Sequence, residues 1–219
     1  MAANESSNAM AAATSYYTFS AFLGEDQSRV YLSLPHREQI QLFQAYLTFL
    51  QTERVQFPTS KRATTCYAAV SDASESTPEL EQVVAGVTLS GFGVCGTDSA
   101  YLPQCDLSIG AAWLADAIGH QYVVENATVL NSRSFMFGWC HAEKQKLTDL
   151  HRKINDKAAW QAIRLVVDRD MCRDCIAFAT AMAKHEDHVI KIQDPKCTRL
   201  FCPDDSVREI DDGHPPKGR

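Results

Sequence analysis

The stretch WQAIRLVVDRDMCRDCIAF, residues 160–178, joins an apolar run to a pair of cysteines. The run at 160–167 is rich in Val, Ile and Leu, which predicts a buried strand leading directly into Cys172. The following run CIAFATAMAKH, 175–185, predicts a helix. Cys172 and Cys175 then lie on one face at the start of that helix. Because the chain is neither short nor preceded by an export signal, metal binding is favoured over a disulfide for this pair.

A second motif lies 31 residues before Cys172, in FMFGWCHAEKQKL, residues 135–147. Leu147, Leu150 and Ile154 continue one helical face, which places His141 and Glu143 in the first turn of that helix. Glu143 is two residues from His141, so its carboxylate is expected to reach a group bound beside the imidazole.

The order of predicted elements indicates the fold class. Residues 35–54 show the clearest helical spacing, and residues 106–119 form a shorter helix with Gly119 as its stop. Strands are predicted in four further segments: 64–71, 86–95, 120–130 and 188–194. From residue 120 onward, strand and helix alternate, which favours a layered α/β fold with at least part of its sheet parallel.

The residue types in the two motifs suit a catalytic zinc site. Such a site uses three protein ligands and leaves the fourth position for water. Here the ligands are predicted to be His141, Cys172 and Cys175, with Glu143 as the acid/base group. This matches the deaminase pattern His-x-Glu followed by Pro-Cys-x-x-Cys, except that Met171 replaces the proline. A purely structural interpretation stays open, with a capping histidine, a first-turn carboxylate and small core cysteines.

From His141 onward the chain resembles the DYW deaminases of plant organellar RNA-editing factors, in a stand-alone form without pentatricopeptide repeats. The likeness rests on three segments, with a looser one at residues 35–59: HAEKQKL, IRLVVDRDMCRDC and HVIKIQD. It implies a cytidine deaminase-like three-layer α/β/α fold, with a mixed central sheet and helices on both faces. It also implies Zn²⁺ bound by His141, Cys172 and Cys175, Glu143 as proton shuttle, and conversion of C to U in RNA.

The chain departs from that family near its end. The terminal Asp-Tyr-Trp and a Cys-x-Cys are absent, and Ile176 stands where a histidine follows the second cysteine. The family's second zinc site therefore cannot be transferred. A separate structural metal site is one interpretation of Cys197 and Cys202 with His185 or His188. The alternative is that these are scattered buried thiols and surface histidines.

The domain organisation is predicted as a single deaminase domain over 29–205, with flexible tails at 1–28 and 206–219 and a zinc-bearing core at 131–194. Residues 70–130 have no matched counterpart and are interpreted as an insertion that covers or gates the pocket. The aromatic residues Phe135, Phe137 and Trp139 flank the motif and are candidates for stacking on an extruded base, or for the core.

Composition and charge narrow the expected partners. The chain has 219 residues with a net charge of -6, and no apolar run approaches the roughly 18 residues that span a bilayer. No secretory leader is evident, so an intracellular protein of cytoplasm or nucleus is expected, with an organelle not excluded. Residues 1–140 carry 6 basic against 13 acidic residues, whereas residues 141–219 carry 15 against 14. The metal-bearing half therefore repels phosphates less.

Three functions remain open on these grounds. The first is a zinc-dependent cytidine deaminase acting on single-stranded RNA. Its target is then chosen by a separate recognition protein or by residues 70–130, or it is not strongly selected. The second is a deaminase toxin or effector acting on DNA or free cytidine. The third is a non-catalytic, zinc-stabilised interaction module, in which a further cysteine such as Cys140 closes the coordination. The motifs alone leave adenine open as the target base, while the resemblance favours cytosine.

Overall fold

A computed structural model describes residues 17–53, 63–91, 100–122 and 138–210. Within these ranges one six-stranded sheet is flanked by seven α-helices. The strands are β1 (Thr65–Val70), β2 (Val87–Leu89), β3 (Ile163–Val167), β4 (Ile190–Gln193), β5 (Thr198–Phe201) and β6 (Val207–Ile210). The helices are α1 (Phe19–Val30), α2 (His36–Thr52), α3 (Pro78–Val84), α4 (Gln104–Ala117), α5 (Ala142–Lys153), α6 (Lys157–Gln161) and α7 (Arg173–Glu186).

The sheet is mixed, with the strand order β2-β1-β3-β4-β5-β6. Only β3 and β4 are parallel, with Leu165 opposite Ile192, and α7 connects them as a crossover helix. The other neighbouring strands are antiparallel. The mixed α/β fold predicted from the sequence is confirmed. Sheet and helices are consistent with a cytidine deaminase-like α/β/α arrangement.

The main core lies where α5 and α7 pack against the sheet. Alternate side chains of the central strands are buried there, among them Cys66, Leu165 and Ile192. Leu147 of α5 and Phe178 of α7 are fully buried against them. This packing follows from period-two burial in the strands and helical spacing in the helices, and it brings the starts of α5 and α7 together.

A second core forms among α1, α2 and α4. Phe19 of α1 packs edge-on against Tyr31, with ring centroids 4.9 Å apart, and both side chains are buried. The side-chain oxygen of Thr18 caps α1 by accepting a hydrogen bond from the N–H of Ala21. The predicted flexible tail over 1–28 is therefore wrong for residues 19–28, because aromatic burial stabilises this helix. Residues 1–16 lie outside the described ranges.

The segment 70–130 packs into the fold, as far as residues 70–91 and 100–122 show, and its interpretation as an insertion that covers or gates the pocket stays a prediction. Strand β2 pairs with β1, so it extends the central sheet. Helix α4 contributes Leu114 and Ala115 to the main core and Ala112 to the second core. Gly119 has a φ of +73°, the left-handed conformation that ends the helix as predicted. The strand predicted at 120–130 is not found at 120–122, and its remainder lies outside the described residues.

The carboxyl-terminal region contains two strands that the sequence analysis missed. Strand β5 pairs antiparallel with β4, and β6 pairs with β5. All four residues of β6 are exposed, so no apolar alternation marks it as a strand. The predicted flexible tail over 206–219 is wrong for residues 207–210, which are held by backbone pairing; residues 211–219 lie outside the described ranges. None of the described helices has the length and apolar character needed to cross a bilayer.

Candidate metal centre

His141, Cys172 and Cys175 come together at the starts of α5 and α7. The Nδ1 atom of His141 lies 3.1 Å from the Sγ of Cys175 and 3.4 Å from the Sγ of Cys172. All three potential ligand atoms lie within 4.8 Å of one another. Among the described residues, this is the one group of three such side chains that could hold a metal ion. The structure therefore brings together the three residues that the sequence predicted as ligands.

Helix starts position each donor. His141 precedes α5 in an extended conformation, and its side chain makes no capping hydrogen bond. Cys172 is the residue before α7, and its Sγ accepts a hydrogen bond from the N–H of Cys175 at 3.3 Å. A thiolate is stabilised there by the free N–H groups and the dipole of the helix. His141 therefore occupies the N-cap position of α5 without capping the helix through its side chain.

The donor set fits zinc, and the donors lie slightly closer together than a bound ion would hold them. Tetrahedral zinc, with Zn–N about 2.0–2.1 Å and Zn–S about 2.3 Å, places nitrogen and sulfur donors roughly 3.5–3.8 Å apart, against 3.1 and 3.4 Å here. The pKa of Cys172 is lowered to about 4 by a hydrogen bond from the Cys175 thiol and by the neighbouring His141, against the opposing effect of burial. Burial raises the pKa of Cys175 well above its ordinary value. One imidazole and two thiols, one of them readily ionised, could bind zinc.

Glu143 lies buried beside these donors. Its side chain is in the first turn of α5, and the residue is 4 % exposed. Burial raises the pKa of Glu143, whereas the nearby His141 and a hydrogen bond from Cys175 lower it. A carboxylate that is excluded from solvent and in contact with the donor group is suited to moving a proton there.

Helix α5 is buried along its first nine residues, 142–150, although most of them are polar. Most of these polar groups have specific partners, whereas the Oε1 of Gln145 finds none among the described residues. The amide Nε2 of Gln145 donates to the backbone oxygens of Gly91 at 2.9 Å and Cys140 at 3.0 Å. The Nζ of Lys146 contacts three consecutive backbone oxygens, at 3.0 Å each, that belong to the last residue of α3 and the two residues after it. It also contacts the carboxylate of Asp149 at 2.9 Å. These bonds fix the helix that carries Glu143.

A largely buried charge cluster links the start of α5 to the start of α7. The Nζ of Lys144 pairs with Asp174, while the Nε2 of His120 lies 3.0 Å from the other oxygen of that carboxylate. Lys144 is fully buried and also lies 5.3 Å from the centre of the Phe178 ring. Because Lys144 follows Glu143 and Asp174 precedes Cys175, this ion pair ties together the two helix starts that form the site.

Asp194 fixes the segment that enters Cys172. Its carboxylate accepts a hydrogen bond from the N–H of Met171 at 3.1 Å, and from the N–H groups of Lys196 at 2.8 Å and Cys197 at 3.1 Å. The guanidinium of Arg199 pairs with the same carboxylate. Met171 occupies the position of the proline in the deaminase pattern, so its N–H is available for this bond. Sequence reasoning missed Asp194, Lys144 and His120, since nothing in their local patterns indicates their distant partners.

The other predicted site residues lie elsewhere. Cys140 is fully buried, and its thiol faces Ser108 and Cys105 rather than the donor group. It therefore does not close the coordination. Trp139 is buried against Phe43, with ring centroids 4.9 Å apart, so it belongs to the second core and is not available to stack on a base. Phe135 and Phe137 lie outside the described residues.

The structure does not bring the predicted second metal site together. The ring of His188 stacks on Trp160 with centroids 4.6 Å apart, and its Nδ1 contacts the backbone oxygen of Glu186. Cys197 and Cys202 form no ligand group with it within the described part of the chain. His185 is more exposed and lies 4.0 Å from Glu186. The seven described cysteines are all free, so they form no disulfide with one another.

Comparison with known proteins agrees with this chemistry. Residues 87–147 match the family model described as single-strand DNA deaminase toxin A, C-terminal. The matched segment contains His141 and Glu143 and covers just over a quarter of the chain. It also includes residues 87–130 of the segment 70–130. A search of curated proteins gave no match. The family match supports a deaminase, and it does not point specifically to the DYW type.

Proposed function

We propose that this protein is a zinc-dependent hydrolytic deaminase that converts cytosine to uracil in single-stranded nucleic acid. The observation that carries the proposal is the position of Glu143, buried beside the group formed by His141, Cys172 and Cys175. A purely structural zinc site needs no such carboxylate. The family match to a deaminase over residues 87–147 is independent support.

The reaction replaces the exocyclic amine of cytosine with oxygen from water and releases ammonia. Zinc, when bound by the three donors, would lower the pKa of a water molecule towards neutrality. Glu143 would pass one proton of the attacking water to the ring N3 as the water oxygen bonds to C4. It would then pass the remaining hydroxyl proton to the amine, which leaves as ammonia. Lys144 and Asp174 hold the two helix starts so that Glu143 and the donors keep this arrangement.

Single-stranded DNA is the first candidate substrate, because the matched family is described as a single-strand DNA deaminase toxin. Single-stranded RNA is the second, because the zinc motifs resemble those of the DYW deaminases. Deaminases of this chemistry act on extruded or unpaired bases, so a base within a duplex is disfavoured. A separate protein that selects the target remains a prediction.

The test is a deamination assay with four substrate pools: single-stranded DNA, single-stranded RNA, duplex DNA and free cytidine. The purified, zinc-loaded protein is expected to form uracil in a single-stranded pool, and a Glu143→Ala variant of equal zinc content is not. Activity on free cytidine alone would replace the proposed polymer substrate with a nucleoside. Zinc binding without activity on any pool would favour the non-catalytic zinc module.

A further inference from the structure

The segment that carries two of the zinc-ligand candidates, Cys172 and Cys175, contains carboxylates that are paired and arginines that are not. Its sequence is DRDMCRDC, residues 168–175, with three aspartates and two arginines. All three carboxylates are engaged by the rest of the protein. Asp168 accepts the N–H of Thr65 at 3.0 Å, and Asp170 pairs with Lys196 at 2.6 Å. Asp174 pairs with Lys144 and His120.

The two arginines have no such partners. Arg169 and Arg173 are both exposed, and neither forms a hydrogen bond or an ion pair with the described residues. Arg37, Arg152 and Arg199 pair with carboxylates, whereas Arg208, exposed on β6, is unpaired like Arg169 and Arg173. Residues 168–175 therefore present two unpaired guanidinium groups to solvent on either side of Cys172.

Their distance from the candidate metal centre is limited by the chain itself. Arg173 is adjacent to Cys172, and Arg169 is three residues away, so its Cα lies within about 10–11 Å of the Cα of Cys172. An arginine side chain from either position can reach a group bound outside the metal centre. Guanidinium groups bind phosphate oxygens in a two-pronged geometry that suits a nucleic-acid backbone.

We infer that Arg169 and Arg173 form a phosphate-binding site that holds the backbone of a single-stranded nucleic acid beside the base at the metal centre. The inference rests on the proposed function and specifies its substrate as a polymer rather than a free nucleoside. The chain as a whole carries a charge of -6, so bulk attraction cannot draw in a polyanion. A local pair of free arginines supplies the attraction where the reacting base must sit.

Salt-dependent binding provides a direct test. The probes are labelled oligo(dC) and oligo(rC), and the protein is the zinc-loaded Glu143→Gln variant, which binds without turnover. For single strands, each phosphate contact contributes about 0.7 to the slope of log affinity against log salt concentration. Arg169→Gln and Arg173→Gln should each lower the slope by about 0.7, and the double variant by about 1.4. Arg208→Gln is the matched control, since Arg208 is exposed on β6, three strands from β3.

The outcomes separate this site from the proposed function. An unchanged slope in the double variant, or an equal loss in Arg208→Gln, overturns the phosphate site. Deamination of free cytidine by a protein that binds neither oligonucleotide would also overturn the phosphate site, but it would support the proposed deaminase activity. If the two arginines set the salt dependence while the active protein deaminates none of the pools, the binding site holds and the deaminase proposal fails. Equal zinc content and circular dichroism of the variants establish that they are folded.

Discussion

The Nδ1 of His141 lies 3.1 Å from the Sγ of Cys175, although the two residues are 34 positions apart in the chain. That contact exists because the chain brings the starts of α5 and α7 together. If it marks a zinc site, replacing either residue, or Cys172, with alanine should reduce bound zinc from about one per chain to near zero. Elemental analysis of the purified variants measures this directly.

Cys140→Ala is the matched control for that loss, because Cys140 is buried and adjacent to His141 but faces away from the donors. It should keep its zinc. Equal zinc loss in Cys140→Ala and Cys175→Ala would contradict the three-ligand site.

The second prediction concerns Asp194, whose carboxylate holds the N–H of Met171 at 3.1 Å. Asp194→Asn should weaken zinc binding, because the segment entering Cys172 loses its restraint. Adding Met171→Pro should recover part of the zinc affinity, since proline fixes φ without needing that hydrogen bond. Titration with a competing zinc chelator compares the variants.

The control for this rescue is Met171→Ala in the same Asp194→Asn background, which removes the side chain but leaves the backbone unrestrained. If proline and alanine at this position give equal zinc affinity, Asp194 acts only on general stability and not on the path of the chain into Cys172.

A third prediction is the pH dependence that Asp194 gives to folding. Burial opposes ionisation, but hydrogen bonds from Met171, Lys196 and Arg199 hold the pKa of Asp194 below its ordinary value. Its contribution to stability is therefore fully present above the unfolded pKa of about 3.9 and is lost as the pH falls through the lower folded pKa. In urea unfolding, the difference in stability between the wild type and Asp194→Asn should shrink on acidification. A difference that stays constant down to strongly acidic pH would contradict the assignment.

The fourth prediction concerns the buried ion pair of Lys144 and Asp174. Asp174→Asn leaves the Lys144 ammonium buried without its counter-charge, which should lower the free energy of unfolding by roughly 3–5 kcal/mol. The lower end of this range is expected because the Asp174 side chain is 21 % exposed, so that water partly screens the lost charge. The double variant Lys144→Met with Asp174→Asn should recover much of that loss, since no unpaired charge remains. A double variant as unstable as the sum of the two single variants would show that the residues act independently.

The sequence indicated the metal-centre residues because their signals are local. Cys172 and Cys175 follow an apolar strand, His141 precedes a helical spacing, and each feature can be recognised within about ten residues. Helix α2 was predictable for the same reason.

What the sequence could not indicate depends on contacts between distant segments. Lys144 and Asp174 are 30 residues apart, and Lys146 reaches carbonyls about 60 residues away, so the burial of the polar helix α5 has no local signal. Strand β6 is exposed at every position and is defined only by its pairing with β5. Helix α1 contains Gly24 at a φ of +76°, which interrupts the helical pattern that would have marked it.

The measurement that tests the central claim most directly is uracil formation by the Glu143→Gln variant, compared with the wild type at equal zinc content. The substrate is single-stranded DNA or RNA, and the protein is in molar excess over it, so that one turnover per protein molecule is enough to detect the reaction. Because Glu143 is proposed to move every proton in the reaction, the variant should bind zinc normally and react at least about 100-fold more slowly. A variant that deaminates at the wild-type rate would contradict the mechanism.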